Sequence, residues 1–334
     1  MRFGVTKILL LALAVSLAAF DGARASGVAE VELVQQTVAA AEDVAVALCV
    51  ESGDVSVRGW ERKEVRASAT GAARVELRRG DAGEGQSAAA RVEVLTAGVG
   101  ETVAQGCIHT GGGVSVDVPR GSFVQVKSYG GKIAVEGVAG ARVETLSGDL
   151  TLQNVSKLVE ATSANGVITL RNSKGRVRLR TISGRIDVSD AAAAEPGDDF
   201  RAQTTSGDIS LARVAHTQVE AVSANGDLEL SGTLARGGAY SLRSQTGNVT
   251  VTLPEDSSFL LTAKVADGGE IVTDFPIRQL PKRTTAEGGG GAGGVLNSGR
   301  LTGVHGKADA PDAALTLVTF NGTVRLRKAA AKTQ

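Results

Sequence analysis

One unit recurs along the middle of this chain, anchored on Gly131, Gly148, Gly166, Gly184, Gly207, Gly226 and Gly247 at spacings of 17, 18, 18, 23, 19 and 21 residues. Self-similarity at such a period marks a stacked repeat, and it narrows the fold more than local propensity can. With each glycine as position zero, position +2 reads Ile133, Leu150, Ile168, Ile186, Ile209, Leu228, Val249 and position +4 reads Val135, Leu152, Leu170, Val188, Leu211, Leu230, Val251. Positions −7 and −5 are apolar too, from Val124 and Val126 in the first unit to Tyr240 and Leu242 in the last. Apolar residues two apart with polar residues between them are the period of a half-buried strand. Each unit therefore reads strand, turn, strand, and the glycine stands where the chain reverses because it reaches positive φ without steric cost.

One unit cannot bury its apolar face alone, so units must stack. The expected fold is all-β, a single-stranded β-solenoid of the β-helix kind, with short strand-turn-strand rungs and irregular β ends. The frame fits twice more, at Gly53 with Val46, Leu48, Val55 and Val57, and at Gly322 with Leu315, Leu317, Val324 and Leu326, which predicts capping or displaced rungs at both ends. Position −3 is always a hydroxyl: Ser128, Thr145, Ser163, Thr181, Thr204, Ser223, Ser244. These side chains either bond turn backbone from rung to rung or form a solvated polar turn. At position −6, Arg142, Glu160 and Arg178 follow one another, so opposite charges are expected to face across rungs, each exposed pair contributing under about 1 kcal/mol.

Around this core the chain divides into an export signal over 1–25, an N-terminal β region and cap over 26–123, the seven-rung core over 124–251, a C-terminal β region over 252–328 with a glycine-rich loop at 288–294, and a tail over 329–334. The export reading comes from Arg2 and Lys7 ahead of the 13-residue run Ile8 to Phe20, then Ala23-Arg24-Ala25 as a small-x-small cleavage site. That run is short of the ~20 apolar residues of a spanning helix. No later stretch is apolar enough to cross a bilayer, so the mature chain is expected to lack a transmembrane segment. In an exported chain the two cysteines, Cys49 and Cys107, suit one disulfide, the alternative being two buried thiols.

Lys plus Arg equals Asp plus Glu at 36 each, so nothing polybasic points to nucleic acid. Aromatic residues make up 3% of the chain, which argues against a core built on large rings. His109, His216 and His305 are far apart and read as structural or solvated. Gly-x-Ser-x-Gly, His-Glu-x-x-His and phosphate-loop patterns are absent from the sequence. Gly-Asp pairs at Gly53-Asp54, Gly148-Asp149, Gly207-Asp208 and Gly226-Asp227 invite a calcium reading, but the nine-residue spacing of calcium β-rolls is missing and turn-stabilising aspartates are expected. Arg176, Arg178, Arg180 and Arg185 form a basic patch around one rung without a carboxylate cluster of the polysaccharide-cleaving kind. No catalytic residue, metal ligand or cofactor is expected.

The run Val50-Glu51-Ser52-Gly53-Asp54-Val55-Ser56-Val57-Arg58-Gly59-Trp60, then Val118-Pro119-Arg120-Gly121 leading into Val124-Gln125-Val126-Lys127-Ser128, together with the serial Ser/Asn-Gly-x-hydrophobic-x-hydrophobic units, resembles the bacterial DUF4097 family of adhesin-like proteins. The resemblance covers most of the chain beyond residue 26 and implies a stacked β fold in the cell envelope. It supplies no catalytic residues. The functional expectation is an exported envelope or surface binding protein, in the periplasm, at the cell surface or outside the cell. It would use flat strand faces, with Thr151, Thr169, Arg178 and Arg180 as a binding face for a polysaccharide or an envelope protein. A periplasmic scaffold or regulatory partner is the alternative, and a polysaccharide-active β-helix enzyme is a third.

Overall fold

The computed structural model describes residues 34–70, 74–80, 88–97, 108–109, 112–279, 295–307 and 311–330. The expected export signal, Cys107 and the glycine-rich loop at 288–294 lie outside them. The described residues hold 26 strands and no helix, and the strands form one mostly parallel sheet.

The repeat generates two ladders. The first stacks Phe123–Ser128, Gly140–Ser147, Leu158–Asn165, Arg176–Ser183, Asp199–Ser206, Gln218–Asn225 and Gly238–Thr246. The second stacks Ile133–Glu136, Leu150–Gln153, Ile168–Lys174, Ile186–Ala192, Ile209–Ala215, Leu228–Ser231 and Val249–Leu253. All these neighbours run parallel, and like positions of the repeat pair with one another: Val143 with Ala161, Ala161 with Leu179, Leu152 with Leu170. A slip of one residue would turn every apolar side chain outward, so the alternating pattern locks this register. Inward residues of both ladders share one core, in which Phe200 and Tyr240 at position −7 are among the largest buried side chains.

The glycine at position zero is required by contact as well as by conformation. Gly148 has φ +131°, and a Cβ there would drive into the carbonyl oxygen of Gly131 one rung below. The same approach repeats from Gly53 through Gly131, Gly148, Gly166, Gly184, Gly207, Gly226 and Gly247 to Gly322, so the turns form a column of glycine on glycine. Side chains beside the column tie its rungs together. Asp54, Asp149, Asp208 and Asp227 each accept the backbone N–H of the next rung's +1 residue, at 2.9, 3.0, 2.9 and 2.7 Å. On the other flank the position −3 hydroxyls are buried, and Thr204, Ser223, Ser244 and Thr319 donate to the glycine carbonyl of the rung below.

A second turn lies six residues after the glycine, where Gly137, Asn154, Asn172, Asp190, Arg213 and Gly232 all have positive φ. Asn, Asp and Gly tolerate this left-handed conformation best. Arg213 is the exception by type, and its guanidinium forms a two-pronged ion pair with Asp190 one rung below, through Nη2 at 2.6 Å and Nε. That hydrogen bond holds the Asp190 carboxyl below the usual carboxylate range.

Both ends depart from sequence order. Val46 to Val50 and Val55 to Arg58 lie against Phe123–Ser128 and Ile133–Glu136, so the Gly53 rung sits directly beneath the Gly131 rung. At the far end, Ala313–Asn321 and Val324–Lys328 pair with Gly238–Thr246 and Val249–Leu253. The earlier strand Phe259–Thr273 lies outside them, pairing through Phe259–Val265 with Ala313–Thr319 and through Ile271–Thr273 with Val324–Leu326. The last rung in sequence is thus inserted between the Gly247 rung and the strand that precedes it along the chain. Phe259–Thr273 also ties the two ladders together. At the opposite end Glu64–Ala69 does the same, antiparallel to both Val34–Ala39 and Val114–Asp117.

His216 is fully buried against Phe200, its Nε2–H donating to the Gly175 carbonyl at 2.8 Å. Burial lowers its pKa from 6.5, with the Gly175 bond and the charges of Asp198 and Asp199 opposing. Below about pH 6.5 the unfolded chain therefore binds a proton that the folded chain resists. Stability is expected to decline as pH falls from 7.5 to 5.5, and urea melts of His216→Asn should show less of this decline; an identical pH dependence would assign the effect elsewhere.

Gly148→Ala is expected to cost on the order of 3 kcal/mol, because strain at positive φ adds to a backbone clash. Gly197→Ala has φ +96° but open space around the added methyl, and should cost about 1 kcal/mol. Equal shifts in thermal melting would show that the stacking contact contributes nothing.

Candidate functional site

The outward side of the first ladder carries two rows of mostly charged and hydrogen-bonding side chains. In register, position −6 runs Arg142, Glu160, Arg178, Arg201, Glu220 and position −4 runs Glu144, Thr162, Arg180, Gln203, Val222. Strand alternation puts these rows on one face because the intervening Val143, Ala161, Leu179, Ala202 and Ala221 point into the core.

Charge on this face is organised around one half-hidden carboxylate. The Asp199 side chain is 13% exposed and gathers Arg201 at 3.0 Å, Arg176 at 3.2 Å and Arg178 at 4.0 Å. Glu160 pairs with Arg142 at 2.6 Å, and Arg201 also reaches Glu220 at 3.8 Å. Of the two neighbours expected for Glu160, then, Arg142 takes the ion pair while Arg178 turns to Asp199. Arg180 stands between Thr162 and Gln203 and makes no ion pair among the described residues. Together Glu160, Thr162, Arg178, Leu179, Arg180, Arg201 and Gln203 line an open groove of ≈ 510 Å³. Forked guanidiniums, a hydroxyl and a carboxamide in one groove can bind carboxylate, sulfate or a row of hydroxyl groups.

Of the residues singled out in the sequence, Arg178 and Arg180 share this groove. Thr151 and Thr169 are direct neighbours in the second ladder, half-buried, and are separated from the groove by the glycine turn. The turn glycines form the column described above. Cys49 lies in the strand Val34–Ser52, opposite Lys127. Among the described residues no three His, Cys, Asp or Glu side chains gather closely enough to hold a metal ion. The aspartates of the Gly-Asp pairs instead spend their oxygens on the backbone of the next rung.

One feature escaped the sequence reading. Position −2, just before the turn, carries Tyr129, Leu146, Ala164 and Ile182 in four successive rungs, with Phe320 in the same position near the far end. Tyr129 and Phe320 are 56% exposed, Leu146 and Ile182 55%. The signal was present in the glycine frame, because position −2 continues the outward alternation of −6 and −4, and an apolar residue there interrupts an otherwise polar face. Contiguous exposed apolar side chains of this size mark interaction surfaces.

No curated protein matches the chain. Among solved structures, a candidate adhesin from Parabacteroides distasonis ATCC 8503 is 11% identical, with 89% of this chain and 98% of that chain covered and a TM-score of 0.45. A candidate adhesin from Parabacteroides merdae ATCC 43184 is 9% identical over 88% of this chain and 95% of that chain, with a TM-score of 0.35. A candidate cell adhesion protein from Clostridium sporogenes ATCC 15579 is 10% identical over 89% and 100%, with a TM-score of 0.22. The family model described as Toastrack DUF4097 matches residues 46–290, which take in the glycine-stacked rungs from Gly53 to Gly247 and the strand Phe259–Thr273, and the chain belongs to the DUF4097 family.

Proposed function

We propose that this protein is an exported, adhesin-like binding module of the bacterial cell envelope, which engages a polysaccharide or a surface protein through the outward face of its first ladder. The observation that carries this reading is the groove in which Arg178, Arg180, Arg201 and Gln203 stand side by side on rigid, in-register strands. In-register parallel strands space these donors at regular intervals, as an extended ligand requires. Export is supported by Arg2 and Lys7, the apolar run Ile8 to Phe20 and the small-x-small site Ala23-Arg24-Ala25. A second reading, a periplasmic scaffold that docks an envelope protein, draws support from the exposed apolar column Tyr129, Leu146 and Ile182.

Protease treatment of intact cells separates the two readings. Cleavage of the mature chain on intact cells favours the adhesin, and protection until lysis favours the scaffold. On the purified protein, Arg178→Ala with Arg180→Ala is expected to weaken binding to polygalacturonate by roughly tenfold or more, as the loss of one or two charge-assisted contacts would. Unchanged affinity would remove the groove from the proposal.

A disulfide between Cys49 and Cys107 belongs to the same reading, because Val50 and Ile108, the residues that follow the two cysteines, are partners on adjacent parallel strands. The mature protein is expected to weigh about 2 Da less before reduction than after it, as one disulfide requires. Identical masses would exclude the bond.

A further inference from the structure

Three rungs from the arginine groove, the same face changes character. Phe123 opens the first-ladder strand Phe123–Ser128 and is 40% exposed, one of few large apolar side chains facing solvent among the described residues. Its in-register neighbours are Ala45 on one side and Gly140 on the other. A Cβ at Gly140 would strike the Phe123 ring, so the ring lies across Gly140, a position where only a glycine leaves room for it. On its other side Ala45 and Ala47 are too short to fill the space. The outcome is an open trough of ≈ 300 Å³, floored by Ala45, Ala47, Phe123 and Gly140, flanked by Leu158 beyond Gly140 and rimmed by Arg91, Gln125 and Arg142.

We infer that this trough is a saccharide subsite in which Phe123 packs against the apolar C–H face of a neutral hexopyranose, while Gln125 and the two arginines hydrogen-bond its hydroxyls. Each rim arginine faces a carboxylate, Arg142 that of Glu160 at 2.6 Å and Arg91 that of Glu93 at 3.9 Å, so the rim carries little net positive charge. A ring face carries partial negative charge and attracts the polarised C–H bonds of a sugar, which an aliphatic side chain cannot imitate. Paired guanidiniums keep spare N–H groups at the rim, and Gln125 offers both donor and acceptor. An acyl chain would need an enclosed channel, whereas this trough is shallow and open. Each rung advances about 4.8 Å, near the length of one sugar unit, so a chain seated over Phe123 can run along the ladder toward Arg180. The inference rests on the reading of the first ladder as a ligand-binding face, but not on Arg178 or Arg180.

The test is affinity electrophoresis of the mature protein in native gels cast with hydroxyethylcellulose, laminarin or galactomannan, and in parallel with polygalacturonate. Retardation is expected in at least one neutral gel. Phe123→Leu, which keeps the apolar contact with Gly140 but removes the aromatic face, should weaken it by roughly tenfold, and Phe123→Trp should retain it within about twofold. Ala45→Arg, which fills the trough from an exposed position, should also abolish it. Circular dichroism and melting temperature of each variant establish that it folds. Arg178→Ala with Arg180→Ala should leave the neutral-gel retardation unchanged. The inference is overturned if no neutral gel retards the protein, if Phe123→Leu migrates like the parent, or if retardation is confined to polygalacturonate and follows Arg178 and Arg180.

Discussion

The contact of one turn glycine with the carbonyl of the glycine below is the constraint on which the rest of this structure depends. It sets how closely successive turns approach, and through the strands on either side it brings like positions of every rung into register. Apolar positions then stack on apolar positions, hydroxyls on hydroxyls and carboxylates beside amides. Interior packing is achieved with Val, Leu, Ile and Ala because each rung contributes only a thin layer. The large rings Phe200 and Tyr240 stand at position −7, where Phe200 lies between Val177 and Val219 and Tyr240 between Val219 and Leu315.

Stacking poses a problem at the ends, since an uncovered terminal rung would offer unpaired N–H and C=O groups to any passing strand. The chain answers by leaving its sequence order. The Gly322 rung is inserted beneath Phe259–Thr273, and the Gly53 rung is placed under Gly131 before the chain makes its excursion through 61–122. Each end is thereby tied by a strand that pairs with both ladders. The long sequence separations of these pairings make them entropically costlier to close than the pairings between successive rungs of the repeat.

A rigid ladder converts one-dimensional sequence into a two-dimensional surface, and this is where the candidate chemistry resides. Side chains 17 or more residues apart become neighbours at strand spacing, so Thr162, Arg180 and Gln203 form one row and Phe123, Ala45 and Gly140 form one trough. Asp199 shows how much depends on this arrangement. It enters through the longest spacing within the seven-rung core, and it then collects three arginines from two strands.

The all-β solenoid, its rung boundaries and the inward positions of both strands were legible in the sequence, because a period-two apolar pattern anchored on glycine admits one local geometry and one way to bury it. The left-handed turn at position +6 was equally present, in Gly137, Asn154, Asn172, Asp190 and Gly232, but Arg213 masks it and only its φ of 55° reveals the column. What the tertiary structure decided was adjacency. Sequence placed Thr151, Thr169, Arg178 and Arg180 together as outward residues, while the fold assigns the threonines to one ladder and the arginines to the other. It likewise could not show that Gly322 follows Gly247, that Asp199 draws Arg178 away from Glu160, or that Phe123 lies across a glycine. The physical reason is that alternation tells a residue whether it faces the core or the solvent, whereas the neighbours it meets there are set by which rung lies above and below.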